Sequence, residues 1–296
     1  MLEFRLSNDV LDDPLALQSR AADEGYLFFK GLIDRDLLHS LRRQILALCA
    51  DAGWLAPDSD PYAGIAAPGV AHIEGQRDFM QVYNRVMKLE DFHAFAHQPG
   101  LIAMYDALFG EATLVHARNI ARMIFPQAME HTTPAHQDYL YIEGTEETWT
   151  AWIPLGDCPQ TLGSLAVLPG SHRHGMYPVY RSLGAGGHRI DTEGLPFEWT
   201  ASDFEEGDVI TFHSLLVHRG LPNQMVDRMR LSVDYRYQGW SQPIVQGSLE
   251  PHYGQLAWSE IYEGWQSEVY QYYWKRQAIN LVNNRAELRE RLMVHG

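Results

Sequence analysis

The sequence predicts a mainly β domain with flanking helices, and three observations carry that reading. Beyond Gly110 the chain breaks into short runs rich in β-branched and aromatic residues, punctuated by Pro, Gly and Asp as in a sandwich or barrel. Before that point, apolar residues recur at helical spacing around one aromatic strand. The composition, 46% apolar and 21% charged over 296 residues, is that of a globular protein with a sizeable core. A single domain spanning 1–296 is expected, with a helical part at about 1–110, a β core at about 111–240 and a helical tail at about 241–296.

Residues 25–30 read as a short aromatic strand closed by Gly31. Leu37, Leu38, Leu41, Ile45 and Leu48 then follow an acidic turn at helical spacing, and that helix ends near Gly53. Three prolines and three glycines within 56–75 make a long surface loop, and helix resumes over 92–109 with a break at Pro99-Gly100. The β runs are 113–125, 148–155, 162–168, 209–212, 215–217 and 231–237. Residues 172–200, rich in glycine and without period, suit a mobile lid or insertion beside a site. Trp258, Ile261, Tyr262, Trp265, Val269 and Tyr272 predict a helix over 258–274 that packs on the sheet.

The formal net charge of −15 disfavours nucleic acid and anionic membrane surfaces as partners, while leaving a locally basic pocket for a small molecule open. Oligomeric state is not implied by any pattern. Two cysteines, Cys49 and Cys158, read as free buried thiols of a reducing cytoplasm. Glu3 and Asp9 interrupt the first ten residues, so no signal peptide is expected, and no run is long and apolar enough to span a membrane.

The chemistry concentrates in Pro134-Ala-His136-Gln-Asp138. Read as the start of a strand, it puts His136 and Asp138 on one side, where both reach one ion. Among 14 histidines a single His-x-Asp pair is as readily a satisfied polar pair, so a third ligand is needed. Residues 204–220 read as a turn, an apolar strand and His218 at its end. His213 is the competitor, but an odd separation turns it to the opposite face, and a strand end leaves the metal accessible, which favours His218. Two imidazoles and one carboxylate cap one face of an octahedral ion and leave the other positions open, the ligand set of non-haem Fe(II) oxygenases. Arg230 shares a face with Ser232 and suits the remote carboxylate of a dicarboxylate co-substrate, whereas Arg228, beside Asp227 in the preceding turn, reads as a solvated ion pair. Arg118 and Arg122 also share a face. They either read a substrate carboxylate or phosphate or form an outward charged edge.

With these residues in place, the chain resembles the phytanoyl-CoA dioxygenase family of Fe(II)/2-oxoglutarate oxygenases. The likeness is carried by 134–138, by Trp149-Thr-Ala-Trp152-Ile-Pro-Leu, by 163–172 (Gly-Ser-Leu-Ala-Val-Leu-Pro-Gly-Ser-His), by 207–218 and by the Arg230 strand. More loosely it takes in the strand at Gly25-Tyr26, so that most of 20–240 is matched. The resemblance implies a double-stranded β-helix (jelly-roll, cupin-like) core with His136, Asp138 and His218 on iron. It puts the C5 carboxylate of 2-oxoglutarate on Arg230 and Trp152 either against the co-substrate or in the core. It implies no catalytic side chain beyond the metal ligands, and a structural turn at Pro169-Gly-Ser-His172. Arg219-Gly220 departs from the Gly-Ser common after the third ligand, which leaves Ser232 or another hydroxyl as the substitute.

The implied cofactors are Fe(II), 2-oxoglutarate as co-substrate, and O2. The implied reaction is hydroxylation of an unactivated carbon of a small-molecule metabolite, with succinate and CO2 as co-products. Halogenating members have a small residue where Asp138 stands, which favours hydroxylation. Desaturation, epimerisation or cyclisation, and a non-catalytic metal-binding protein of the same fold, are the alternatives, and substrate-stimulated succinate formation separates the last of these from the enzymes. Only three lysines, Lys30, Lys88 and Lys275, and no basic run are present, so an acyl-CoA substrate is not carried over.

Overall fold

A computed structural model of the chain describes residues 1–127, 129–184, 186–284 and 286–294. Helix α1 (Pro14–Glu24) starts where the Asp13 carboxylate accepts from the Leu15 and Ala16 N–H groups, and it stops at Gly25, whose φ of 74° suits glycine. Strand β1 (Tyr26–Phe29) follows, buried throughout. Helix α2 (Arg35–Asp51) is capped by Asp34 and buries Leu38, Leu41, Ile45, Leu46 and Cys49. Helices α3 (Arg77–Met87), α4 (Glu90–Ala94) and α5 (Pro99–Phe109) complete this part, and the helical break falls at Gln98, because Pro99 opens a new helix.

The strands that follow are β2 (Thr113–Val115), β3 (Ile120–Ile124), β4 (Trp149–Pro154), β5 (Leu165–Val167), β6 (Val179–Arg181), β7 (His188–Ile190), β8 (Val209–His213), β9 (His218–Gly220) and β10 (Arg230–Gly239), with β11 (Pro243–Val245) and β12 (Asn280–Val282) in the tail. The main sheet is antiparallel in the order β1, β8, β4, β10, β2, and β3 pairs with the start of β10. Alternation along β10 divides its faces. Leu231, Val233, Tyr235 and Tyr237, with Ala151, Ile153 and Val209, join Leu38, Leu41 and Tyr105 in the helix-side core. Full burial of each large side chain there contributes about 1.5–3 kcal/mol. Arg230, Ser232, Asp234 and Arg236 alternate with them and, through the ladder, neighbour Trp152 and Thr150.

Facing that polar side is a smaller layer. β5 pairs with β9, β6 with β7, and Val167 bridges Thr200. Leu165 and Val167 of this layer pack with Trp152, Ile210 and Phe212 of the main sheet. A six-stranded antiparallel sheet faced by short antiparallel strand pairs, open rather than closed into a barrel, makes the expected jelly roll.

Four expectations are corrected. Residues 134–138 do not form a strand: His136 makes one antiparallel bridge to His218, and Asp138 lies in a turn that leads into α6 (Tyr139–Ile142). The run over 113–125 is two strands, because the chain turns between Val115 and Ile120. Residues 215–217 are turn and loop, and strand begins at His218. The tail has helix only in α7 (Trp258–Ile261), and Gly264 at φ 82° prevents the helix from continuing towards Tyr272. Its aromatic residues pack through specific contacts instead: the indole N–H of Trp258 donates to the Leu249 carbonyl and that of Trp265 to the Lys88 carbonyl, both at 2.9 Å. Residues 172–200 contain the β6–β7 hairpin. Cys49 and Cys158 are free and buried, and burial pushes both thiols up to about 12. Among the described residues, no helix is long and apolar enough to cross a membrane.

Candidate metal centre

His136 and His218 meet because their backbones pair: each N–H donates to the other's carbonyl, at 2.9 and 3.0 Å, which brings the ring centroids within 4.1 Å of each other, the rings tilted by 54°. Each ring is then fixed by its own loop. The Nδ1–H of His136 donates to the Pro134 carbonyl at 2.8 Å, and that of His218 to the Leu216 carbonyl at 2.9 Å. Both Nε2 atoms therefore carry a free lone pair, the tautomer a metal needs.

The turn after His136 brings in Asp138. Its Oδ1 lies 3.5 Å from His136 Nε2 and 3.8 Å from His218 Nε2, and one donor atom of each residue falls within 4.8 Å of the others. Donors bound at roughly 2.1 Å and at right angles would stand about 3 Å apart, so small side-chain shifts close the set on one ion. Among the described residues no other group of three His, Cys, Asp or Glu side chains converges in this way. Burial alone would raise the Asp138 carboxyl, but the Arg236 guanidinium beside it holds it well below the usual carboxylate range. Burial takes His218 down to about 3, so the imidazole is a neutral ligand at pH 7. Two imidazole nitrogens and a carboxylate, converging on one point, fit Fe(II).

Two cavities meet at this cluster. Both are lined by Arg122, Thr133, His136, Asp138 and Arg236. The first continues to Arg230, Trp152 and Phe212. Arg230 is buried, gives one hydrogen bond to Ser232 Oγ, stands 5.6 Å from the Trp152 ring, and leaves its Nε without a partner. Burial lowers its pKa. A guanidinium held so is short of one anion, and a carboxylate is the group its fork fits. The second cavity, of about 230 Å³, is lined by Arg118, His116, Tyr141, Ser248, His252 and Tyr253 among others. Both candidate arginines thus face inward, but they differ. Arg122 is held in ion pairs with Glu74 and Asp234, whereas Arg118 lies in the loop before β3, its Nε donating to the Glu250 carbonyl at 3.5 Å.

The competing residues lie elsewhere. His213 faces Glu147 at 3.7 Å in a larger cavity of about 390 Å³ that it shares with His172 and Trp149. Size does not decide the matter, because the donor cluster is in the smaller space. Arg228 lines a fourth cavity with Arg42 and Glu206. Thr150, Asp234 and Arg236 escape the reading of the sequence, although a signal exists for two of them: in Arg230-x-Ser232-x-Asp234-x-Arg236 the same parity that pairs Arg230 with Ser232 continues for two more residues.

The model of the phytanoyl-CoA dioxygenase family matches residues 22–230. A 1-deoxypentalenic acid 11-beta-hydroxylase of Streptomyces arenae is 30% identical over 251 residues, which is 77% of this chain and 82% of that protein. Among solved structures, the epimerase SnoN in complex with Fe3+, alpha ketoglutarate and nogalamycin RO aligns at TM-score 0.55 and 19% identity, covering 78% of this chain and 87% of its own. The non-heme alpha ketoglutarate dependent carbocyclase SnoK aligns at TM-score 0.55 and 18% identity, covering 86% and 92%. At such identities these structures establish the shared fold, the cupin-like jelly roll.

Proposed function

This chain belongs to the phytanoyl-CoA dioxygenase family, oxygenases that use non-haem iron and 2-oxoglutarate, and from that premise we propose how its residues divide the work of a small-molecule hydroxylase. His136, Asp138 and His218 hold Fe(II), and Arg230 with Ser232 holds the remote carboxylate of 2-oxoglutarate beside Trp152. The observation that carries this reading is the junction itself: three donors converge where a cavity with a buried, under-partnered arginine meets a second, roomier one. Bound iron and 2-oxoglutarate supply oxygen activation, with succinate and CO2 as co-products. The protein's own part is to fix geometry and keep water out. Trp152, Leu165 and Phe212 wall the co-substrate side with apolar surface. His116 and His252 on the substrate side are held neutral by burial, so neither serves as a proton donor at pH 7.

The substrate proposed is a small organic anion, with Arg118 at the cavity wall as its contact. Support comes from the Arg118 guanidinium at the wall of that cavity and from the named substrate of the 30% identical relative, an acid. Arg122 is assigned a structural part, because Glu74 and Asp234 already engage it. Free buried thiols fit a reducing cytoplasm.

Anaerobic addition of Fe(II) and 2-oxoglutarate is expected to give a weak visible charge-transfer band in the wild type and none in Asp138→Ala. Organic acids are then expected to stimulate succinate formation in air. A wild type without the band and without 2-oxoglutarate affinity overturns the assignment of the site, and stimulation by amines but by no acid overturns the substrate class.

A further inference from the structure

A carboxylate ligand can bind through one oxygen or two, and the second mode would occupy a position that co-substrate or dioxygen needs. The structure distinguishes the two oxygens of Asp138. Oδ1 faces both histidines, at 3.5 and 3.8 Å. Oδ2 accepts from the Thr150 hydroxyl at 2.7 Å and from Arg236 Nη2 at 3.3 Å. The two donors are not independent neighbours, for Thr150 and Arg236 are register partners across the β4–β10 ladder, side by side on the polar face of the main sheet. Thr150, Asp138 and Arg236 are all buried.

We infer that Thr150 and Arg236 form a cross-strand clamp that reserves Oδ1 for the metal and fixes Asp138 as a one-oxygen ligand. They are positioning residues and touch no reacting atom. The clamp matters because Asp138 sits in a turn rather than a strand, so its backbone orients it less firmly than the paired histidines are oriented. Two rigid strands supply the orientation that the turn does not. The sheet thereby serves the metal at both ends of one face, through Arg236 at Asp138 and through Arg230 at the co-substrate. The inference rests on the metal assignment above.

The test is the Co(II) affinity of the full-length apo-protein, read by competition with a chromophoric chelator, alongside its melting temperature without metal. Thr150→Val keeps the shape and removes the donor. It is expected to weaken Co(II) binding by roughly 10–100-fold with the metal-free melting temperature little changed, and Thr150→Ser to restore near-wild-type affinity. Arg236→Gln is expected to weaken binding over the same range. Because losing a buried countercharge can impair folding, the threonine pair decides if that variant is insoluble. Co(II) affinity in Thr150→Val within twofold of wild type overturns the clamp, as does a lower metal-free melting temperature with affinity intact, which marks a purely structural contact. A wild type that binds no Co(II) overturns the clamp and the metal assignment together, which separates the two failures.

Discussion

Replacing Arg230 with methionine is expected to remove 2-oxoglutarate binding without destabilising the metal-free protein. In the empty site the guanidinium is a buried charge with one hydrogen bond to Ser232 and an unpartnered Nε, and burial lowers its pKa. A charge so placed costs folding free energy that an apolar side chain of similar length would not, and swaps of this kind are often neutral or stabilising. Once the co-substrate is bound, the same fork faces a carboxylate in dry surroundings. Removing one partner of such a buried pair costs about 2–5 kcal/mol, which corresponds to roughly 30- to several-thousand-fold in affinity. Arg230→Met should therefore raise the KM for 2-oxoglutarate by about a hundredfold or more and abolish the rise in melting temperature that 2-oxoglutarate gives the metal-loaded wild type. Arg230→Lys should fall between, since it keeps the charge and loses the planar fork. Affinity for 2-oxoglutarate within threefold of wild type in Arg230→Met would move the co-substrate elsewhere. A large fall in the metal-free melting temperature would show that the empty site is compensated in some other way.

The site is legible in the sequence where regular structure carries it. Parity along β10 places Arg230 and Ser232 together, because that argument needs only a continuous extended chain. His213 and His218, by contrast, are separated by a turn at 214–217 that carries the chain from the main sheet to β9, so the parity argument favours His218 by a wrong route. The same reasoning reaches His136 and Asp138 by a wrong route. They converge through one bridge and a turn, and a turn has no period to read. Thr150 stays hidden for a different reason. Its role depends on which residue of β10 stands opposite it, and register is set by the packed sheet rather than by either strand alone. Pairing Arg118 with Arg122 assumes that one strand spans both, but β3 begins at Ile120, and Arg118 reaches the cavity from a loop. In the tail the aromatic spacing marks correctly which residues are half or fully buried, with Val269 the exposed exception. It fails on conformation, because indole and phenol groups can anchor irregular chain through single hydrogen bonds as well as through a helical face.

Acid is expected to unfold the metal-free protein well before its ordinary carboxylates titrate. His93 shows why. Its Nε2–H donates to the Met87 carbonyl at 2.8 Å, while its Nδ1 accepts from the Asn119 amide at 3.1 Å. Both nitrogens are satisfied only in the neutral ring, and a proton on Nδ1 would face another donor in a cage of Phe92, Trp258 and Trp265. Burial accordingly takes His93 down to about 4. Burial likewise takes His116 and His218 down to about 3. In the unfolded chain each would titrate near 6.5, so between that pH and the folded value the unfolded state binds more protons, and stability falls as pH falls. Each histidine can contribute up to about 1.4 kcal/mol per pH unit across that window. Three acting together would remove several kcal/mol between pH 6.5 and 4.5, a large part of the roughly 5–15 kcal/mol that holds a domain folded. Asp234 works in the opposite sense, since burial raises its carboxyl, but it is a single group, whereas burial also lowers His97 and His252 beside these three. Urea midpoints of the chelator-treated protein should therefore be flat from pH 8 to 7 and decline steadily below 6.5, while the His93 ring stays neutral by NMR down to about pH 5. A midpoint unchanged between pH 7 and 5 would mean that these rings are not buried neutral, and the packing of α4 against the aromatic tail would then be wrong.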